Sequence, residues 1–142
     1  MQQEPGNRMQ WEDDGHCFVC GASNKSGMRL QFETDDKSIW TTFVPGKEHQ
    51  GYKEVMHGGI LSLLMDEVMV LLPHRLLATR VVSAEMRVRL IRPVPIGERI
   101  TIRGYFKGPM EPGMRLYQTA AEVTLTDGTL AAEAEGKCVR VG

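Results

Sequence analysis

The strongest pattern in the chain is the segment from 58 to about 72. There Ile60, Leu61, Leu63, Leu64, Met65, Val68, Met69, Val70, Leu71 and Leu72 are apolar, and only Ser62, Asp66 and Glu67 interrupt them. At helical spacing these positions cover nearly the whole circumference, which predicts a helix buried on most sides, as inside a sheet that wraps it. Pro73 is poorly suited to a helix interior, so the helix is predicted to end or kink there. Beyond it the period becomes two. Val82, Ala84, Met86, Val88 and Leu90 alternate with Ser83, Glu85, Arg87 and Arg89, predicting a long half-buried strand that Pro93, Pro95 and Gly97 stop. Ile100, Ile102 and Phe106 mark the next strand, with Thr101, Arg103 and Tyr105 facing the other way. Two more, 116–126 and 129–141, meet at Asp127-Gly128, a hairpin signal. Ahead of the helix, 30–33 and 39–44 read as short strands around a loop at 34–37.

Two short strands, a buried helix and four longer strands joined mostly by short turns predict an α+β fold with an antiparallel sheet. Residues 1–15 read as a flexible lead-in and 16–142 as a single domain, with no internal repeat. The 142 residues are 42% hydrophobic and 25% charged, enough to bury a real core. The formal net charge of −1 argues against nucleic-acid binding, which needs an excess of Lys and Arg on one surface. The polar N-terminus does not read as a signal peptide, and the helical run is too short and too charged to span a bilayer. Three cysteines without a secretory signal suit a reducing cytoplasm rather than a disulfide framework. The expectation is a cytoplasmic protein with a small-molecule ligand.

The chemistry concentrates at His57-Gly58-Gly59 and Asp66. Glycines at a helix start let a ligand approach the backbone closely, and the first N–H groups of a helix lack intrahelical partners. Such a donor suits a carbonyl oxygen that becomes negative during acyl transfer, although Gly-Gly alone also reads as a tight turn. Asp66 breaks an apolar helix, where a carboxylate is rarely buried unless paired or working; pairing with an Arg or facing solvent is the plainer alternative. Gly59, Ser62 and Asp66 share one helix face, yet Gly59 and Asp66 lie about 10 Å apart along the axis. One helix cannot bring both to one carbonyl. Two copies about a two-fold axis can.

His-Gly-Gly with a carboxylate nine residues after the His resembles the hotdog-fold thioesterases, especially the phenylacetate-degradation type. The resemblance extends over roughly 17–140: Cys17-Phe18-Val19-Cys20-Gly21 with Asn24 and Gly27, Gln50-Gly51-Tyr52, Asp66-Glu67, Ser83-Ala84-Glu85, and Arg92 through Glu98. It implies a curved antiparallel sheet around one central helix, a homodimer or homotetramer, and hydrolysis of an acyl-CoA thioester without metal or redox cofactor. It further implies that the Gly59 N–H polarises the thioester carbonyl and that Asp66 of the neighbouring subunit serves as nucleophile or general base. His57, with Gly58 and Ser62 on the same segment, would shape the pocket, and Ser83 would position the attacking water. Many relatives carry Asn or Gln six residues before the His, where this chain has Gly51; the adjacent Gln50 is the candidate replacement. A non-catalytic acyl-CoA-binding protein or an enoyl-CoA hydratase of the same fold are the rivals, though the Asp and His motif of the latter is not found.

Cys17 and Cys20 have zinc-knuckle spacing, but the second pair of a structural zinc site is missing, so a packed loop with buried thiols is expected. Arg87, Arg89, Arg92, Arg99 and Arg103 are candidates for coenzyme A phosphates, since Arg matches phosphate geometry; a solvated sheet face is the alternative. The methionines are expected mainly in the core.

Overall fold

The Asp35 side chain nucleates the first hairpin: its Oδ1 accepts from the Lys37 and Ser38 N–H groups at 2.9 and 2.7 Å and from Ser38 Oγ at 2.8 Å. The strands it joins, β1 (Glu33–Thr34) and β2 (Ser38–Phe43), pair antiparallel. The first is shorter than the pattern at 30–33 predicts, because the groups ahead of it are spent elsewhere. Leu30 N–H donates to Val19 O, and Gln31 O accepts from the Thr41 hydroxyl. This computed structural model describes residues 10–142; the lead-in expected over 1–15 therefore lies mostly outside the described residues. Within 10–15, Trp11 O accepts from Arg80 Nη1 at 2.9 Å.

Helix α1 (Gly58–Leu77) runs five residues past the predicted stop, with Pro73 buried inside it. Proline at 73 withholds the N–H that would reach Met69 O. Here Cys138 Sγ, from the far end of the chain, lies 3.7 Å from Met69 O and supplies the missing donor. The helix ends instead at Ala78, in the left-handed conformation, with Ala78 and Thr79 N–H both directed at Pro73 O. From Ile60 to Pro73 no position is exposed, as the all-round apolar pattern predicts.

Strands β3 (Val81–Leu90), β4 (Ile100–Phe106), β5 (Leu116–Thr124) and β6 (Leu130–Arg140) follow, and the six-stranded antiparallel sheet has the order β1-β2-β4-β5-β6-β3. Gly128 takes the positive φ in the expected β5–β6 turn. The helix touches β2 through β6, burying Leu61, Leu64, Met65, Val68, Met69 and Leu72 against Ile102, Ala121, Val123, Ala132 and Ala134. Each of these leucine, isoleucine, valine and methionine side chains contributes about 1.5–3 kcal/mol when fully buried. Gly104 sets the spacing: a Cβ there would stand 2.8 Å from Val68 O, so only glycine lets the helix backbone lie this close to β4. One central helix held by a wrapping antiparallel sheet is the α+β hotdog architecture that the motifs imply.

Strand β3 departs from expectation in two ways. It is an edge strand, paired on one side only among the described residues, and Ser83 through Arg87 are exposed rather than half-buried. Met86 is consequently at the surface, unlike Met56, Met65 and Met69. The strict alternation is also broken. Ser83 opposes Cys138 while Glu85 opposes Lys137, so Ala84 is the extra residue of a β-bulge. The bulge puts Ser83 on the inner face with Met86, Val88 and Leu90, away from the outward set of Glu85, Arg87 and Arg89.

Candidate active site

The helix start is closed upon itself. His57 is the N-cap, with extended backbone, and its Nδ1 accepts from Gly59 N–H at 2.8 Å. The donor expected to polarise a carbonyl is thus occupied by a side chain two residues away. Gly58 N–H has no hydrogen-bond partner among the described residues. His57 N–H donates to His49 O at 2.8 Å, and His49 Nδ1 in turn accepts from Gly46 N–H at 2.9 Å, with its ring edge-on to Phe43. Ser62, expected to face the substrate, bonds back to Gly58 O at 3.0 Å. The Gln50 amide is likewise turned into its own loop: its Oε1 accepts from Glu54 N–H at 2.9 Å and from Lys47 Nζ at 3.3 Å. Gly51 packs against His57 instead, where a Cβ would lie 3.4 Å from the His57 Cα.

A groove of about 510 Å³ opens beside His57 and Gly58, walled by Tyr52, Leu90, Ile91 and Arg92. Its lining is predominantly apolar, and Tyr52 and Leu90 are well exposed on its rim. Of the five arginines considered, Arg92 lines it. Arg89 is paired with Glu133 at 2.7 Å, while Arg99 and Arg103 reach toward the hydroxyls of Thr42 and Ser38. Arg92 was among the phosphate candidates, but the sequence does not point to Leu90 and Ile91 as groove walls. Tyr52, a large aromatic in a polar loop next to Gly51, was the available signal.

Asp66 lies two turns along the helix and does not line that groove. Its Oδ1 is buried and has no hydrogen-bond partner among the described residues. Burial raises the carboxyl above its ordinary value, and the nearby Ser83 hydroxyl offsets part of that rise. Ser83 is close enough to act on the charge, but the two form no hydrogen bond of normal geometry. Cys138 lies nearby; burial raises its thiol, Thr119 opposes the rise, and the Asp66 charge adds to it. The bulge in β3 is what aims Ser83 at Asp66, a feature that no Gly or Pro in the strand announces.

The predicted residues therefore form two groups within the chain. His57, Gly58 and Gly59 stand near the end of β3, where a Cβ on Gly58 would meet Leu90 Cδ1 at 2.7 Å. Asp66 and Ser83 stand near its beginning. The ten-residue edge of β3 connects them. A carboxylate of this kind can take a proton from water or attack a carbonyl, and a helix-start N–H can stabilise an oxyanion.

Comparisons with known proteins agree with this architecture. Residues 53–131 match the family model of the thioesterase superfamily. A crystal structure of a thioesterase superfamily protein is 27% identical, with a TM-score of 0.78 over 88% of this chain and 60% of that one. This chain thus spans less than two thirds of that relative. A hypothetical thioesterase from Streptococcus pneumoniae, solved with coenzyme A, is 18% identical with a TM-score of 0.71, covering 80% of this chain and 89% of the other. The PaaI protein of E. coli, from the phenylacetic acid degradation operon, is 18% identical with a TM-score of 0.71, covering 80% of each chain. At this identity the last two speak for the fold. No curated protein matches the chain. No helix among the described residues is long and apolar enough to cross a membrane.

Proposed function

Since the chain belongs to the thioesterase superfamily, we propose that it hydrolyses an acyl-CoA thioester to the free acid and coenzyme A, at sites shared between two copies. The observation that carries this reading is the arrangement along β3. The acid group lies near one end of an unpaired strand edge and the His-Gly-Gly groove near the other. An isologous dimer that pairs this edge antiparallel with its own copy sets the start of one β3 against the end of the other. Asp66 of one subunit then faces the groove of its partner, and the exposed edge is covered. A larger assembly of such dimers uses the same contact.

In this site the acyl thioester enters the groove, with Tyr52, Leu90 and Ile91 against its apolar portion and Arg92 toward a phosphate. The carbonyl oxygen takes the Gly58 or Gly59 N–H. Gly59 becomes available only as His57 gives up its hydrogen bond, so substrate exchanges places with the imidazole. Asp66, in its ionised form, draws the proton from a water held by Ser83 or attacks the carbonyl itself; both routes end in the acid and the free thiol. Burial favours either role by leaving the carboxylate poorly solvated. The protein works in the cytoplasm, where acyl-CoA esters and reduced thiols coexist.

The test is thiol release from a panel of aromatic, short-chain and medium-chain acyl-CoA esters, comparing the wild type with Asp66→Ala. Turnover on at least one ester that Asp66→Ala lacks supports the reading. Tight ester binding without turnover on any of them would establish a binding protein instead.

A further inference from the structure

Outside this site, the described residues bring three metal-binding side chains together. Cys17 and Cys20, from the loop that precedes β1, and Glu67, from the middle of α1, hold their donor atoms within 4.8 Å of one another. All three residues are half-buried. Cys17 Sγ stands 3.4 Å from Glu67 Oε2 and 3.7 Å from Oε1. The edge of a tetrahedral zinc site, with metal–sulfur bonds of about 2.3 Å and metal–oxygen bonds of about 2.0 Å, is roughly 3.5 Å between sulfur and oxygen. The observed separation already has that length.

The cysteine loop is built to a fixed shape. Gly21 N–H closes on Cys17 O at 2.8 Å, and a Cβ on Gly21 would lie 2.5 Å from Cys17 N. Met28 and Leu30 N–H tie the loop's outgoing stretch to Phe18 and Val19 O at 2.8 Å each. The two thiols are thus presented as a pair toward the helix.

We propose that Cys17, Cys20 and Glu67 form a binding site for one Zn²⁺ ion, which fastens the N-terminal loop to the helix beside Asp66. Binding releases the two thiol protons to solvent, and Glu67 contributes its existing charge. The three side chains line a groove of about 620 Å³ together with His74 and Asp13, which leaves room for a water as the fourth ligand. The spacing of the cysteines alone did not reveal the site because the third ligand lies 47 residues beyond Cys20 in sequence and on another element.

The experiment uses the full chain, reduced and stripped of metal, titrated with Co²⁺ and then Zn²⁺. One Co²⁺ per chain with a thiolate-to-cobalt charge-transfer band is expected. Zn²⁺ in excess should bleach the band and raise Tm by roughly 5–10 °C, from mass action on the folded state. Cys20→Ser should abolish the band, and Glu67→Gln should weaken Zn²⁺ binding at least tenfold. Absence of the band in the reduced wild type overturns the site, as does a band that Cys20→Ser retains. Thiols that take up no cobalt but oxidise to a Cys17–Cys20 disulfide would likewise overturn it. Because the wild-type spectrum decides the matter, a variant that fails to fold does not rescue the proposal, and the outcome is independent of thioester hydrolysis.

Discussion

At the first turn of α1 the polar groups are tied to one another: Gly59 N–H to His57 Nδ1, His57 N–H to His49 O, Ser62 Oγ to Gly58 O. Two turns on, Asp66 Oδ1 is buried with no hydrogen-bond partner among the described residues. Both places lie under the same edge strand. The first is what a stable helix start looks like; the second costs stability, because burying a carboxylate oxygen without a donor is unfavourable by a few kcal/mol. A fold keeps such a group where something outside the chain completes it or where its chemistry is used. On the proposed reading, the difference separates the part of the site that a single subunit finishes from the part it leaves open.

The largest expected effect breaks the comparison at its costly end. Asp66→Asn keeps the shape and removes the charge, so turnover should fall by about 10²–10⁴-fold, the range for losing a general base. Stability should move the other way, with a rise in Tm, since the amide is cheaper to bury than the carboxylate. Thiol-release kinetics and thermal melts on the same preparation check both. A variant that lost activity and stability together would show that Asp66 is held by something beyond the partners described above.

The second effect tests whether the two ends belong to different subunits. Asp66→Ala spoils one end, and Gly59→Val the other, because a Cβ on Gly59 would stand 3.0 Å from the His57 ring. Each homodimer should be inactive. After equal mixing and subunit exchange, half the dimers are mixed and each mixed dimer keeps one intact site of two, so about a quarter of wild-type activity should return. Exchange proven by mass spectrometry without recovered activity would place both groups on one carbonyl within a single chain, against the helix rise.

The same contrast governs how far the molecule can be read from its residues. Helix α1 and strands β2, β4, β5 and β6 follow from one-sided or all-round burial, which is local in sequence and leaves a periodic trace. What escapes that reading depends on distant partners. Helix α1 passes through Pro73 because a thiol 65 residues later supplies a donor to Met69 O. Ser83 turns inward through a bulge at Ala84, set by register against β6. Glu67, one residue from Asp66, meets Cys17 across 50 residues. The unusual placement of Asp66 was readable because an acid stands out on an apolar helix. The closure of Gly59 by His57 was not, since spacing alone leaves the ring's direction open.

A smaller effect sharpens the comparison at its satisfied end. Removing an N-cap acceptor costs about 0.5–2 kcal/mol, so His57→Ala should lower unfolding stability by about 1 kcal/mol in denaturant melts. His57→Asn retains an acceptor for Gly59 N–H and should recover most of that loss. The kinetics then divide two roles that the structure joins in one ring. If His57 served the helix alone, Asn would restore KM along with stability. Our reading is that the imidazole leaves Gly59 N–H as substrate arrives and then walls the groove. His57→Asn should therefore be nearly as stable as wild type yet show a several-fold higher KM, with kcat changed less. An Asn variant with wild-type KM would confine His57 to capping and leave Gly58 N–H as the donor for the carbonyl.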